Sequence, residues 1–82
     1  MIREVIVVEG KDDEAAVKKA VDAEVIITSG LGIEEKTIER ICHAQQRTGV
    51  IIFTDPDFPG EKIRKMISEK VPGCKHAYLP RK

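Results

Sequence analysis

The chain has 82 residues, enough for one small domain in which a single core is only just sufficient. Its hydrophobic fraction of 41% and charged fraction of 34% exclude an intrinsically disordered chain and are typical of a globular protein. The 14 basic and 14 acidic residues cancel to a formal net charge of zero, so the chain lacks the overall basic excess of most nucleic-acid binders. Affinity for nucleic acid would have to come from local patches or from sequence outside these residues.

No stretch of the sequence has the length and hydropathy of a membrane span, and the first residues lack the layout of a signal peptide. We therefore expect a cytoplasmic protein with no membrane partner, and a monomer. Cys42 and Cys74 are two isolated cysteines without a C-x-x-C motif. This favours reduced thiols that serve as small apolar residues over a disulfide or a metal site.

Patterns typical of strands and of helices alternate along the chain. Strands are predicted from about Ile2 to Val8 and over Val25–Ile27, Val50–Phe53 and Cys74–Tyr78. Helices are predicted between Glu9 and Ala23, from Glu34 to Arg47, and along the apolar stripe Ile63, Met66, Ile67 and Val71. Lys62, Arg64, Lys65 and Lys70 are assigned to the other, polar sides of the third helix. A flexible turn is expected at Ser29–Gly32, a helix end at Gly49 and a stop at Pro72–Gly73.

The alternation predicts an α/β fold with one four-stranded parallel sheet in the order 2-1-3-4, flanked by three helices and joined by right-handed crossovers. The run Val50–Phe53 is apolar throughout, which predicts a strand buried on both faces. The order places the first and third strands side by side. The site predicted from the residues that follow these two strands requires the strands to be adjacent.

Acidic residues come directly after both of these strands. Glu9 and Gly10 follow the first, and Asp55 and Asp57 follow the third in the sequence Thr54-Asp55-Pro56-Asp57-Phe58-Pro59-Gly60-Glu61. Ligands of open parallel sheets bind beyond the carboxyl ends of the strands, where neighbouring strands would bring these carboxylates together. Three carboxylates without a matching basic side chain predict a site for a hard divalent cation, Mg²⁺ or, in its place, Mn²⁺. Glu9 could be a third ligand or a general acid–base near the leaving oxygen.

These acids also have ordinary interpretations. Asp57 could cap the third helix, Asp55 could be a turn residue, and Glu9 could be solvated. Asp12 and Asp13 fit better as helix caps than as metal ligands. An acidic pair after one buried strand and a Glu-Gly pair after another nevertheless favour the metal site, because both follow the same rule of placement.

Four further residues near this edge could contact a nucleic acid. Gly60 would let a phosphate approach the start of the third helix, and Lys11 could contact a phosphate, although a solvated lysine is the simpler interpretation. Phe58 and Tyr78 could stack on bases, although packing in the core or at its rim is the simpler role for both.

The Glu9-Gly10 pair after the first strand, together with Asp55-x-Asp57-x-x-Gly60 after the third, resembles the Toprim domain shared by topoisomerases, primases and some nucleases. The segments Val7–Asp13, Thr54–Arg64 and Val71–Ala77 resemble, within that family, the bacterial ribonucleases that mature 5S ribosomal RNA. The long Asp-Pro-Asp segment is quite specific, whereas the Glu-Gly pair alone is a weak signal. The segment Ser29–Ile33 is only loosely similar to the family.

The resemblance implies a Mg²⁺-dependent endoribonuclease that cuts a double-stranded stem of the 5S rRNA precursor, helped by the ribosomal protein that binds 5S rRNA. It implies that Glu9 is the catalytic acid–base and that Asp55 and Asp57 are catalytic metal ligands. It also implies supporting roles for Asp13, the acid after the Glu-Gly pair, and Glu61, the acid after Gly60.

Such ribonucleases have a C-terminal half associated with RNA binding, so we expect residues 1–82 to be the Toprim catalytic domain of a longer protein. Two other functions stay open at this point. One is a Toprim module that binds nucleic acid without chemistry of its own. The other is a phosphoacceptor receiver domain, which would require a fifth strand and a lysine beyond it.

Overall fold

The computed structural model describes residues 2–29 and 32–78. Its strands are β1 (Val5–Val8), β2 (Val25–Ile27), β3 (Val50–Thr54) and β4 (Lys75–Tyr78). Its helices are α1 (Lys11–Ala20), α2 (Glu35–Arg47) and α3 (Phe58–Lys70). Within the two described ranges, no helix has both the length and the hydropathy needed to span a membrane.

The four strands form one parallel sheet in the order β2-β1-β3-β4, as the sequence predicts. Val7 of β1 lies opposite Ile26 of β2 on one side and Ile52 of β3 on the other. All four residues of β1 are buried, because this strand has a neighbour on each edge and helices on both faces. The carboxyl ends of β1 and β3 therefore lie side by side.

The starts of β1 and β4 differ from the sequence prediction. β1 begins at Val5 and not at Ile2, because its neighbours β2 and β3 start opposite Ile6 and Val5 respectively and give earlier residues no strand partner. Ile2 instead donates its N–H to the Asp22 carbonyl oxygen at 3.0 Å. β4 begins at Lys75, so Cys74 lies just before the strand. Both Cys42 and Cys74 are free thiols, as predicted.

The core has two unequal layers, one on each face of the sheet. The larger layer joins β1 and β3 to α2 and α3, with Ile41, Ile52, Ile63 and Ile67 fully buried. The smaller layer lies under α1, which contributes the buried Val17. Because one short helix covers this second face, Ile51 and Phe53 of β3 are only half-buried there. The prediction that β3 is buried on both faces is therefore wrong for the α1 face.

Glycine ends α2 where the sequence predicts it. Gly49 has φ 92° and donates its N–H to the Ala44 carbonyl oxygen at 3.0 Å, a left-handed termination that a residue with a side chain adopts only under strain. In the predicted turn at Ser29–Gly32, Gly30 and Leu31 lie outside the described residues.

Arg64 of α3 does not face solvent, which corrects the sequence assignment. Only 4% of the residue is exposed, and its guanidinium lies beneath the carboxyl ends of β3 and β4. Nη1 donates to the Ile52 carbonyl oxygen at 3.1 Å, and Nη2 donates to the Ala77 carbonyl oxygen at 2.7 Å. One side chain thus ties α3 to two adjacent strands.

Two further contacts complete the surroundings of the Arg64 guanidinium. Nη1 lies 2.9 Å from Nδ1 of His76, and since arginine can only donate, Nδ1 must be the acceptor. The guanidinium carbon lies 3.8 Å from the centre of the Tyr78 ring, a stacked cation–π contact. One face of the Tyr78 ring therefore packs against Arg64, while 49% of the residue stays exposed, so the expected packing in the core or at its rim is met only by this contact.

We expect Arg64→Lys to lower the free energy of unfolding by about 1–3 kcal/mol, although the charge is kept. A lysine ammonium cannot reach two carbonyl groups and a hydroxyl with the geometry of the guanidinium fork, so buried acceptors would lose their donors. Urea denaturation of both proteins measures the difference. Lys65→Met, a change at the next and exposed position of α3, should shift stability by less than about 0.5 kcal/mol. Equal stability of Arg64→Lys and the parent would contradict the assigned role.

Candidate active site

The loop between β3 and α3 has a defined conformation because side chains within this segment form hydrogen bonds to its backbone. Asp57 is the N-cap of α3, and its Oδ1 accepts the Gly60 N–H at 2.8 Å. The buried Thr54 accepts a hydrogen bond from Nη2 of Arg64 at 2.8 Å and donates its hydroxyl to the Gly60 carbonyl oxygen at 3.4 Å. The loop that carries Asp55 and Asp57 is therefore anchored at both ends.

Gly60 is required by the close approach of the chain to itself. A Cβ at this position would overlap the Asp55 carbonyl oxygen and lie 3.0 Å from Oδ1 of Asp57. The residue is buried, so no open space could take up a side chain. In this structure Gly60 allows tight packing of the loop onto the first turn of α3. The sequence suggested instead that this glycine lets a phosphate approach.

Glu9 lies at the carboxyl end of β1, half-buried, with its backbone carbonyl accepting the Ser29 N–H at 3.0 Å. Burial raises the pKa of its carboxyl group above the ordinary value. Three neighbouring carboxylates raise that pKa further by charge repulsion, and in decreasing order they are Asp57, Asp13 and Asp55. The fold thus brings the predicted acids close enough for electrostatic repulsion between Glu9 and the other carboxylates.

The other predicted site residues have mixed positions. Asp13, in the first turn of α1, accepts the Gly10 N–H through Oδ2 at 3.2 Å, so the helix-capping interpretation is confirmed for Asp13, and its charge also raises the pKa of Glu9. Lys11 opens α1 and is exposed. Glu61 is also exposed, with Oε1 at 3.8 Å from Nε of Arg64, so it lies beside the buried guanidinium.

The donor set suits a hard divalent cation, since carboxylate oxygens are the ligands that Mg²⁺ prefers. Asp55 and Asp57 are exposed, and only Oδ1 of Asp57 is used by the helix cap. Across residues 2–29 and 32–78, no three acidic, histidine or cysteine side chains already enclose a position for a metal ion. A cation at this edge would therefore keep several waters and take few ligands from the protein, which is the usual way that Mg²⁺ is bound.

Comparison with known proteins identifies the family. The model of the Toprim domain matches residues 4–81, and the chain belongs to the Toprim family. Curated proteins named Ribonuclease M5 are similar to it: the Bacillus cereus protein is 65% identical over 80 residues and the Bacillus subtilis protein 64% over 80 residues. The Staphylococcus aureus protein of that name is 58% identical over 80 residues.

These alignments cover almost all of this chain and less than half of each relative. The shares are 98% of the chain and 42% of the Bacillus cereus protein, and 98% and 45% for the Staphylococcus aureus protein. The chain thus spans less than half the length of the curated relatives it matches. The family match disfavours a receiver domain.

Sequence reasoning missed two features of the site. Arg64 and Thr54 form the hydrogen-bonded support beneath the Asp55 loop. The signal was present for Arg64, because Gly60, Ile63 and Ile67 mark the buried stripe of α3 and position 64 falls within it. Charged residues are mostly solvated, so Arg64 was assigned to the polar side of the helix despite its position in this stripe.

We expect Gly60→Ala to lower the free energy of unfolding by about 1–3 kcal/mol, the usual cost of forcing atoms into a packed site. The added methyl group must displace the Asp55 carbonyl or the Asp57 cap. Gly32→Ala is the matched control, because a Cβ at Gly32 meets no heavy atom within 4 Å, and its effect should be within about 0.5 kcal/mol. Chemical denaturation of the three proteins provides the test, and equal effects of the two substitutions would refute the packing argument.

Glu9→Gln should change the pH dependence of stability in a definite direction. The pKa of Glu9 is raised in the folded chain above its ordinary value of 4.5, so the stability it contributes is present below that pH and is lost as pH rises through the folded pKa. Glutamine removes the titration, so the variant should gain stability relative to the parent as pH is raised toward neutrality. Urea denaturation at several pH values, with EDTA present, measures this; a constant difference between the two proteins would contradict the raised pKa.

Proposed function

We propose that residues 1–82 are the catalytic Toprim domain of a longer Mg²⁺-dependent endoribonuclease that cleaves a double-stranded precursor of 5S ribosomal RNA. The observation that carries the proposal is the half-buried Glu9 at the end of β1, whose pKa is raised by burial first and then by the neighbouring carboxylates of Asp57, Asp13 and Asp55. Support for the substrate comes from the name Ribonuclease M5 of relatives that are 58% to 65% identical.

In this proposal Asp55 and Asp57 hold the cation. Their loop is anchored by the Asp57 cap and by Thr54, so the two carboxylates can present oxygens without ordering a flexible segment first. The cation, when bound, would polarise a phosphoryl oxygen and neutralise charge that develops on it. Asp13 and Glu61 stand beside the site as supporting acids, and Lys11 at the start of α1 is placed to contact a phosphate.

Glu9 is the general acid–base of the proposed reaction. A raised pKa brings a carboxyl group nearer to neutrality, where it can release and accept a proton at useful rates. In phosphodiester hydrolysis the protonated group would donate its proton to the leaving oxygen as the P–O bond breaks, and water would supply the new bond to phosphorus. The resulting carboxylate is then reprotonated from solvent.

The neutral net charge of the chain supports a division of labour within the longer protein. This domain would carry the chemistry, while the remaining half would supply most of the contacts to RNA. We further propose that the enzyme works as a monomer in the bacterial cytoplasm and is assisted there by the ribosomal protein that binds 5S rRNA. The free thiols of Cys42 and Cys74 fit a reducing compartment.

A second candidate is a Toprim module that binds nucleic acid without cutting it. Among the described residues, the three proposed site carboxylates do not enclose a metal position with further His, Cys, Asp or Glu side chains, and a binding module would need no such arrangement. Cleavage by the full-length protein, measured together with binding, separates the two candidates.

Glu9→Gln in the full-length protein should lower cleavage of a 5S precursor stem by about two to four orders of magnitude, the scale of general acid–base catalysis. Glutamine keeps the size of the side chain and loses its proton transfer. RNA binding should barely change, since the lost carboxylate repels phosphate if it acts on it at all. Glu39→Gln, on the exposed side of α2, is the matched control and should cut normally. Near-normal cleavage by Glu9→Gln would remove the assigned role.

The same assay separates metal binding from proton transfer. Asp57→Asn keeps an N-cap for Gly60, because asparagine caps helices as well as aspartate does, yet it removes the charge that would hold the cation. Its cleavage should fall and be partly restored by high Mn²⁺, whereas Glu9→Gln should not respond. Rescue of both variants, or of neither, would argue against the separate roles.

A further inference from the structure

Phe58 is unusually exposed for a large apolar side chain. It is the first residue of α3, directly after Asp57, and 72% of it is open to solvent. The expectation that it packs in the core or at its rim is therefore wrong. An aromatic ring left in water gains stability when something covers it.

Two lysines share the face of α3 that carries this ring. Phe58, Lys62 and Lys65 are spaced at i, i+4 and i+7, which places them along one stripe of the helix, and both lysines are exposed. The ammonium nitrogen of Lys62 lies 5.4 Å from the centre of the Phe58 ring. Together with Glu61 they line a shallow depression of about 290 Å³. We call these three residues the α3 surface.

The α3 surface is continuous with the carboxylates of the proposed site. Phe58 adjoins Asp57 in the chain, and the stripe extends away from it along α3. A phosphate that approaches Asp55 and Asp57 is repelled by both, so attraction must come from cations next to them. Lys62 and Lys65 provide this positive charge, because they lie about one to two helical turns from Asp57 along α3.

We propose that the α3 surface binds the RNA strand next to the bond that is cut, with the Phe58 ring packed on an unstacked base and the two lysines on the flanking phosphates. This rests on the proposed nuclease function and names a contact that holds its substrate. Aromatic rings stack on any base, and lysines neutralise phosphates without regard to sequence, so the contact is tolerant of sequence.

The chemistry of the depression favours RNA over a protein partner. Cores of protein interfaces are depleted in lysine and glutamate, yet Lys62, Lys65 and Glu61 surround the ring here. A nucleotide is complementary to these side chains, since its base can cover the ring while its phosphates contact the ammonium groups. Oε1 of Glu61 lies 3.8 Å from Nε of Arg64, so this ion pair partly offsets the negative charge that Glu61 brings to the depression.

The first test is direct, because the chain has no tryptophan. Phe58→Trp introduces one in this chain and keeps an aromatic face for stacking. Titration with an RNA hairpin that carries an unpaired flank, in Ca²⁺ and low salt, should quench the tryptophan fluorescence as a base stacks on it. A blunt RNA duplex of equal length should quench less. An emission spectrum unaffected by either RNA would overturn the proposal.

The second test measures affinity and cleavage in the full-length protein. Phe58→Ala should weaken binding of the precursor stem by about 5- to 150-fold, the usual loss for one stacked base, and Phe58→Leu by nearly as much. Phe58→Trp should bind like the parent. Lys62→Gln should reduce the slope of log binding constant against log salt concentration by about one, whereas Lys19→Gln on the exposed side of α1 should leave this slope unchanged. Melting temperatures should be unchanged throughout, since all these side chains are exposed.

The outcomes separate this inference from the proposed function. If the parent protein binds the precursor stem and does not cut it, the proposed function fails whatever the α3 surface does. If Glu9→Gln is inactive while Phe58→Ala and Lys62→Gln bind and cut like the parent, this inference alone fails. A Phe58→Ala defect that appears only when the ribosomal protein is present, with normal binding of free RNA, would overturn it in favour of a protein partner.

Discussion

The buried guanidinium of Arg64 is the contact on which the geometry of the site depends. It donates to carbonyl groups of β3 and β4 and to the hydroxyl of Thr54, the residue that immediately precedes Asp55. Neutral acceptors and the face of Tyr78 surround it, and its nearest carboxylate, that of Glu61, is 3.8 Å from Nε. Removing a cation from water is unfavourable unless its hydrogen bonds are replaced, and here most of them are. The side chain therefore sets the position of α3 against the sheet and, through Thr54, the start of the acidic loop.

That support matters because the loop holds charges that repel one another. Asp13, Asp55 and Asp57 all act on Glu9, and each raises the pKa of its carboxyl group. Left to itself, such a group of acids would separate, and the loop would open. The Asp57 cap on Gly60 and the buried Thr54 oppose this separation with local hydrogen bonds. In the proposed function, a divalent cation bound at this edge would offset the repulsion among these acids.

The proposed chemistry and the proposed substrate contact occupy different parts of this small domain. The acids lie at the carboxyl ends of β1 and β3, while positive charge and an exposed ring lie along α3. The net charge of this chain is zero, so in that proposal the attraction of RNA depends on a local surface and not on the overall field. The curated relatives named Ribonuclease M5 are more than twice the length of this chain.

The sequence by itself determined the order of the strands, the positions of the elements to within a few residues and the set of acids at one edge. Those features follow from hydrophobic period, from glycine and proline positions and from the rule that ligands bind beyond parallel strand ends, all of which are local or topological. Only the tertiary structure decided that Arg64 is buried, that Phe58 is exposed and that the α1 face covers β3 incompletely. Burial depends on which helix lies over which strand. A charged residue beside an apolar stripe can therefore be solvated or enclosed, and an aromatic residue at a helix start can be core or surface, until the elements are packed.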